Sequence, residues 1–575
     1  MYPLWLQTLQ HHLAAGHITR REFVRRAALL GFSAPAISAA LAACGGGGGG
    51  QASPTAQGNA ASTPAIRIEQ NVTATPSPAT PTPAASPAGK SGGSVNLARG
   101  TDSDNLDPVT QDGNVDIWVL MNVYDQLVTV ADNGLELMPG LAEKWDVSQD
   151  GTTYTFHIRQ GVKFYDGTPL KVSDIKWSIE RAKTTKESIW TFTLDQVKEI
   201  TTPDDRTVVI TLSQPWAPFL SDISMFNASI ISQDFAQKIG VDKLVEQTMG
   251  TGPFHVKEWK KGQAMTLVRN PNYWEPGLPR LDQITLTVIP DSNSRILQVK
   301  GGAVDGIIGQ NDVPLSQVND LKSDSNLQVL IFPSTYNNFV VLNTRQAPLN
   351  DINVRQALNY ATDKQTLIKS VLFGIGEPSN SFMPNGALYW NKDQPGYPFD
   401  LNKAKQLMAQ SSVPNGFKLE FQILAGNQQQ LQIATALKDM WSKIGVDLDI
   451  VQLEQGVFTN NYRQNKFQAR LAGWTNDIID PDELVSYAIL PDQTENYHTG
   501  WVNQEAIDLA KQARQTLDPE KRRQLYYRIQ EIHMHDAPFV YLFVIPYVDV
   551  LRKRVQGFFH HPMGQWVFKR MYVTG

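Results

Sequence analysis

From about residue 93 onward, apolar side chains follow two rhythms. Tyr154, Phe156 and Ile158 are separated by Thr155 and His157 and followed by Arg159, the period of two that marks a strand with one buried face. The same period recurs at Val208/Ile210/Leu212, Ile284/Leu286/Val288, Leu419/Phe421/Ile423 and Val446/Leu448/Ile450. Phe539 to Ile545 is apolar without interruption, as in a strand covered on both faces. Helices are signalled as clearly. Asp518-Pro519 supplies a capping side chain before proline at the first helical position, and Leu525, Ile529 and Ile532 follow at helical spacing. That helix is expected to stop before Pro538. Asp363 heads another, carrying Leu367, Ile368 and Val371. Strands and helices interleave without a short repeat, which predicts an α/β body.

The first 92 residues read differently. Thr19-Arg20-Arg21-Glu22-Phe23-Val24-Arg25 precedes an alanine-rich apolar stretch that ends in Leu41-Ala42-Ala43-Cys44. A basic start, an apolar middle and small residues before the cut describe an export signal over residues 1–43. Arg20-Arg21 resembles the twin-arginine export motif, and Leu-Ala-Ala-Cys resembles the bacterial lipobox. Cleavage before Cys44 and lipidation of that residue are therefore expected. Gly45 to Gly50 follow at once, and six glycines do not continue a helix. Residues 44–92 are rich in Gly, Pro, Ser, Thr and Ala and cannot bury enough apolar surface to offset their ordering entropy, so a tether is expected.

Composition narrows the function. At 575 residues the chain has ample material for a large core. Its formal charge of -5 excludes a strongly basic nucleic-acid binder. The signal holds four Arg and one Glu, so its removal leaves the mature chain more acidic, and lipid rather than charge is the expected membrane attachment. One cysteine excludes a disulfide framework, a Cys-type zinc site and an iron–sulfur cluster. Beyond residue 50 nothing offers about 18 consecutive apolar residues, so the body is not expected to span a membrane.

Ordered motifs then carry a resemblance. Asn122-Val-Tyr-Asp-Gln-Leu-Val, Pro139-Gly-Leu-Ala-Glu-Lys-Trp145, Asp150-Gly-Thr-Thr-Tyr-Thr-Phe-His-Ile-Arg159 and Gly161-Val-Lys-Phe-Tyr-Asp-Gly-Thr-Pro169 follow in sequence. Gly250-Thr-Gly-Pro-Phe254, Arg269-Asn-Pro-Asn-Tyr-Trp274, Asn353-Val-Arg-Gln-Ala-Leu-Asn-Tyr-Ala361 and Gly473-Trp474 come after them. From about residue 93 to the end, the chain resembles the family 5 extracellular solute-binding proteins, the peptide, nickel and oligosaccharide receptors of ABC importers. The resemblance implies a type II periplasmic-binding-protein fold whose two lobes close on a ligand. It places a first lobe at 93–335 with an extra subdomain at about 127–245, a second lobe at 336–540, and a return to the first lobe at 541–575. It further implies an exported, lipid-anchored monomer at the outer face of the cytoplasmic membrane or in the periplasm. A membrane permease is its expected partner, and a peptide its expected ligand. An oligosaccharide or other small solute is the alternative. No cofactor is expected.

In peptide-binding members the Gly-Trp-x-x-Asp segment supplies an aspartate for the peptide ammonium. Here the resemblance gives that role to Asp477, with Trp474 beside it to stack or pack. The carboxylate end departs from the family. Some dipeptide receptors use an arginine in the loop that here reads Gly426-Asn-Gln-Gln-Gln430. An oligopeptide receptor uses one three residues before the tryptophan, where this chain has Leu471. Arg470 lies one residue earlier and is expected on the other side of the strand. A tryptophan typical of peptide receptors is replaced by Gln455, and Gln455, Asn427 and Gln428 suit neutral hydrogen-bonding ligands.

No G-x-S-x-G, H-E-x-x-H, P-loop or dinucleotide glycine pattern is present, so neither catalytic nor metal-binding residues are expected. Asp480, Asp482 and Glu483 cluster near Asp477 and mimic a calcium or glycosidase site, but such a cluster is expected to be a solvated loop. An exported hydrolase is the rival class.

Overall fold

A computed structural model describes residues 91–111, 113–491 and 497–574. The export signal, Cys44 and the tether up to residue 90 lie outside the described residues.

Each alternating segment forms the strand its pattern predicts. Tyr154, Phe156 and Ile158 are buried in the strand Thr153–Ile158, and Val208, Ile210 and Leu212 in Thr207–Leu212. These two pair antiparallel at the centre of a four-stranded sheet. The helix Val172–Thr184 covers it through Ile175, Ile179 and Ala182. Leu419, Phe421 and Ile423 are wholly buried in Phe417–Leu424 and contribute roughly 1.5–3 kcal/mol each. Asp518 caps the helix Pro519–Asp536 by accepting from the Lys521 amide at 2.8 Å, and Ala537 ends it in a left-handed conformation before Pro538. Asp363 caps Lys364–Val371 through the Thr366 amide at 3.0 Å.

Two larger sheets organise the rest. A seven-stranded sheet runs in the order Leu327–Phe332, Tyr547–Arg552, Gly306–Ile307, Ser94–Arg99, Gln283–Val288, Ala264–Arg269, Phe254–Lys260. A six-stranded sheet runs Glu377–Pro378, Phe539–Val544, Asn337–Leu342, Ala469–Trp474, Phe417–Leu424, Val446–Leu453. The chain passes from the first to the second between Phe332 and Asn337 and returns between Val544 and Tyr547. The expected return at residue 540 falls inside the fully buried strand Phe539–Val544, so the crossing comes after it, where Ile545 and Pro546 leave the sheet. The crossings are tied together, since the Ile545 amide donates to the Tyr336 carbonyl at 3.1 Å and the Ser334 hydroxyl to the Ile545 carbonyl. Two short adjacent connections between two sheets have the form of a hinge.

Candidate functional site

The strand Ala469–Trp474 lies inside the six-stranded sheet, antiparallel to Asn337–Leu342. Its side chains alternate. Ala469 and Leu471 enter the second lobe's core, while Arg470, Ala472 and Trp474 share the opposite face. That face borders a cavity of about 290 Å³, to which Asn311 contributes from the seven-stranded-sheet side and Tyr336 from the crossing. Gly473 is required here, because a Cβ would approach the Tyr336 ring to 2.8 Å.

Arg470 is a correction to the sequence reading. It does lie opposite Leu471, yet Arg470 lines the cavity, which Leu471 borders while packing into the core. Its guanidinium carbon sits 3.7 Å from the Phe458 ring centroid and 4.4 Å from that of Tyr462. Nη1 donates to the Phe458 carbonyl at 3.1 Å, and Nε is buried without a partner. Among the described residues no carboxylate pairs with it, and burial lowers its pKa to about 10.

Past Trp474 the chain leaves the cavity, whose lining includes neither Asp477 nor Glu483. Asn476 is fixed to the crossing by its amide, which donates to the Thr335 hydroxyl at 3.0 Å. Asp477 is buried, and its side chain does not cap the following helix. Instead Glu483, on the helix Asp482–Ala488, reaches back to accept from the Asp477 amide at 2.9 Å and the Ile478 amide at 3.1 Å. Glu483 also accepts from the Trp474 indole at 2.7 Å. Burial pushes the Glu483 pKa up to about 7, against the pull of those donors. Burial, and then the neighbouring Glu483, hold Asp477 well above the carboxylate range. Neither acid has a cationic partner among the described residues. Trp474 is half-buried, lines the cavity and packs against Tyr487 with ring centroids 4.8 Å apart, so it both packs and faces the cavity.

The rest of the acidic cluster is no solvated loop. Asp480 and Asp482 are buried, and each is neutralised by an arginine of a following helix. Arg522 Nη2 donates to Asp480 at 2.8 Å, and Arg514 Nε to Asp482 at 2.8 Å. Among the described residues, no group of three or more His, Cys, Asp or Glu is arranged to hold a metal ion.

The amide-bearing candidates separate. Asn427 lines the cavity but spends its carbonyl on the Gln430 amide at 3.0 Å, capping the helix Gln428–Ser442. Gln428 and Gln455 are exposed and do not line the cavity, where Gln429 and Gln430 appear instead. Each is the first residue of its helix, Gln428–Ser442 or Gln455–Arg463, and its side chain is exposed. Sequence reasoning missed Glu483 as a site residue and discounted Arg470. For Arg470 a signal existed, because an even spacing from Trp474 places both on one face of a strand.

Residues 136–496 match the model of the bacterial extracellular solute-binding proteins, family 5. The chain belongs to this family. Among curated relatives it is 29% identical over 480 residues to the dipeptide-binding protein of Escherichia coli, covering 78% of this chain and 89% of that one. It is 31% identical over 480 residues to heme-binding protein A of Haemophilus influenzae, covering 79% and 87%. The solved periplasmic binding protein DppA of Helicobacter pylori, in complex with peptide STSA, superposes with a TM-score of 0.75 at 29% identity, covering 84% of this chain and 99% of that one. This family 5 protein therefore has the type II periplasmic-binding-protein fold, and its family works outside the cytoplasm as solute binders. No helix among the described residues is long and apolar enough to cross a membrane.

Proposed function

We propose that this family 5 protein is the receptor of an ABC importer and that its ligand is a short peptide with both termini free. One observation carries the reading. Two buried groups of opposite character flank Trp474: among the described residues, the Asp477 and Glu483 acids have no cation and Arg470 has no carboxylate. Burying either alone is costly, and a zwitterion satisfies both at once. The cavity of about 290 Å³ lies at the lower end of the roughly 300–1,000 Å³ of small-molecule sites, which suits a ligand of dipeptide size. Relatives named for dipeptide and glutathione binding, and a solved relative holding a peptide, support the class.

In this reading the ligand ammonium meets Asp477, and its carboxylate meets Arg470 in place of the family's other arginine positions. The lobes close about the paired crossings, and the closed form docks on a membrane permease. A monomer tethered through lipidated Cys44 completes the proposal, with export by the twin-arginine signal. Chemistry is not required of any residue in the site.

Calorimetry with alanyl-alanine, its N-acetyl form, its C-terminal amide and a neutral disaccharide tests the reading. Free alanyl-alanine is expected to bind, and each blocked form to lose at least about thirtyfold, since stranding one member of a buried charge pair costs about 2 kcal/mol or more and about 1.4 kcal/mol is tenfold. Equal binding of free and blocked forms, or binding of the disaccharide alone, would overturn it.

A further inference from the structure

We infer that this protein carries a latch between its lobes, away from the ligand cavity. The segment 214–222, beside the four-stranded sheet, grips Asp480 and residues 514–517 of the second lobe. That grip sets how readily the lobes close, and so how tightly a ligand is held. The inference deepens the peptide reading and rests on it only for the identity of the ligand.

The two surfaces belong to opposite sides of the hinge. Trp216 and Phe219 are buried in the core that the four-stranded sheet shares with the helix Val172–Thr184. This unit precedes the first crossing, and Arg181 on the same helix ties it to the first lobe by donating to Asp107 at 2.9 Å. Asp480 and residues 514–517 lie between the two crossings. Arg522 Nε donates to the Ala513 carbonyl at 2.9 Å, and Arg355 Nε to the Asp536 carbonyl at 2.9 Å, so these helices move with the second lobe.

The contact is made of several kinds of bond. The Ala217 amide donates to the Arg514 carbonyl at 2.7 Å, and the Asp480 amide to the Ser221 hydroxyl at 3.2 Å. Gln515 Nε2 donates to Gln214 Oε1 at 3.1 Å. The Arg514 guanidinium carbon lies 4.9 Å from the Trp216 ring centroid, and Leu517 rests on the turn at Gly151, where a Cβ would approach it to 2.6 Å. Each surface is set by its own lobe. The Trp216 indole donates to Asp222 at 2.9 Å, while Arg514 donates to Asp482 at 2.8 Å and to the Ser486 hydroxyl at 2.6 Å. Little ordering is left to be done when the two meet.

None of these residues lines the cavity of about 290 Å³, and none belongs to the crossings at 332–337 and 544–547. A contact off the hinge has to part when the lobes swing about it. Losing one or two net hydrogen bonds shifts an equilibrium by about five- to thirtyfold. Apparent affinity scales with the fraction of protein in the binding-competent form, so the latch contributes to affinity without touching the ligand.

Small-angle scattering of the exported protein without ligand tests this, with Cys44→Ser removing the native thiol from the parent and all variants. In one variant, Gln214→Cys and Gln515→Cys are joined by a short bifunctional thiol reagent that holds the contact shut. In another, Leu517→Asp sets a carboxylate beside Asp150 and opposes the contact. Leu517 is 44% exposed, so this change leaves the cores of both lobes intact. The linked protein is expected to have a smaller radius of gyration than Leu517→Asp, with the parent equal to one of them or between them. Equal radii for the linked protein and Leu517→Asp overturn the latch, as does a cysteine pair that never links. Alanyl-alanine calorimetry then reads the consequence. Leu517→Asp is expected to bind at least about fivefold more weakly than the parent, although no residue of the cavity has changed. Unchanged affinity in that variant overturns the role of the latch in binding. Failure of the parent to bind alanyl-alanine counts against the peptide reading, and the scattering result still decides the latch.

Discussion

Replacing Arg470 by methionine should move binding and stability in different directions. The substitution keeps a long flexible stem against Phe458 and Tyr462 and removes the charge. In the empty protein that charge is a liability. Lowering the pKa from 12.5 to about 10 corresponds to about 3 kcal/mol, at 1.36 kcal/mol per unit. Stacking over Phe458 and Tyr462 returns about 1–2 kcal/mol of this, as expected for desolvated cation–π contacts. The Arg470→Met variant is therefore expected to unfold in urea at the same midpoint or a higher one, by about 1–2 kcal/mol. With a zwitterionic ligand the balance reverses. Losing one member of a buried charge pair costs about 2–5 kcal/mol of binding, or roughly thirtyfold to several thousandfold. Calorimetry with alanyl-alanine and its C-terminal amide reads the effect directly. Wild type should discriminate strongly between the two, and Arg470→Met should scarcely distinguish them. A variant that loses about 2 kcal/mol of stability while keeping its affinity would show that Arg470 serves only to fill the aromatic slot.

Three further outcomes are expected. Because the acid pair is raised in the folded state, the stability it contributes is present in acid and is lost as pH rises from the unfolded value near 4.5 through about 7. Urea titrations at pH 5 and pH 8 should thus show Glu483→Gln gaining on wild type with increasing pH, and parallel behaviour would refute the raised acid. Asp480→Asn strands the buried Arg522 and should cost about 3–5 kcal/mol of stability, as for other broken buried pairs, visible in thermal melts without ligand. Cys44→Ser should release the protein from membranes in cell fractionation, whereas an intact Met1 terminus on exported wild type would remove the anchor.

Much of the fold was legible from local pattern. Period-two alternation marked Tyr154–Ile158 and Leu419–Ile423 as half-buried strands, because successive strand side chains face opposite sides. Asp363 and Asp518 marked helix starts, because a short acidic side chain satisfies amides that the first turn leaves unpaired. Order of motifs identified the family, and Gly473-Trp474 located a strand that borders the candidate cavity. Charge chemistry was not legible in the same way. Asp480, Asp482 and Glu483 look alike in sequence, yet Arg522 and Arg514, 42 and 32 residues away, neutralise the first two and leave the third beside Asp477. Gln428 and Gln455 have the composition of ligand contacts but sit on exposed first turns. Periodicity reports the backbone's own geometry, which is set by near neighbours along the chain. Whether a buried charge is paired depends on groups that only the packing of distant elements brings within a few ångströms.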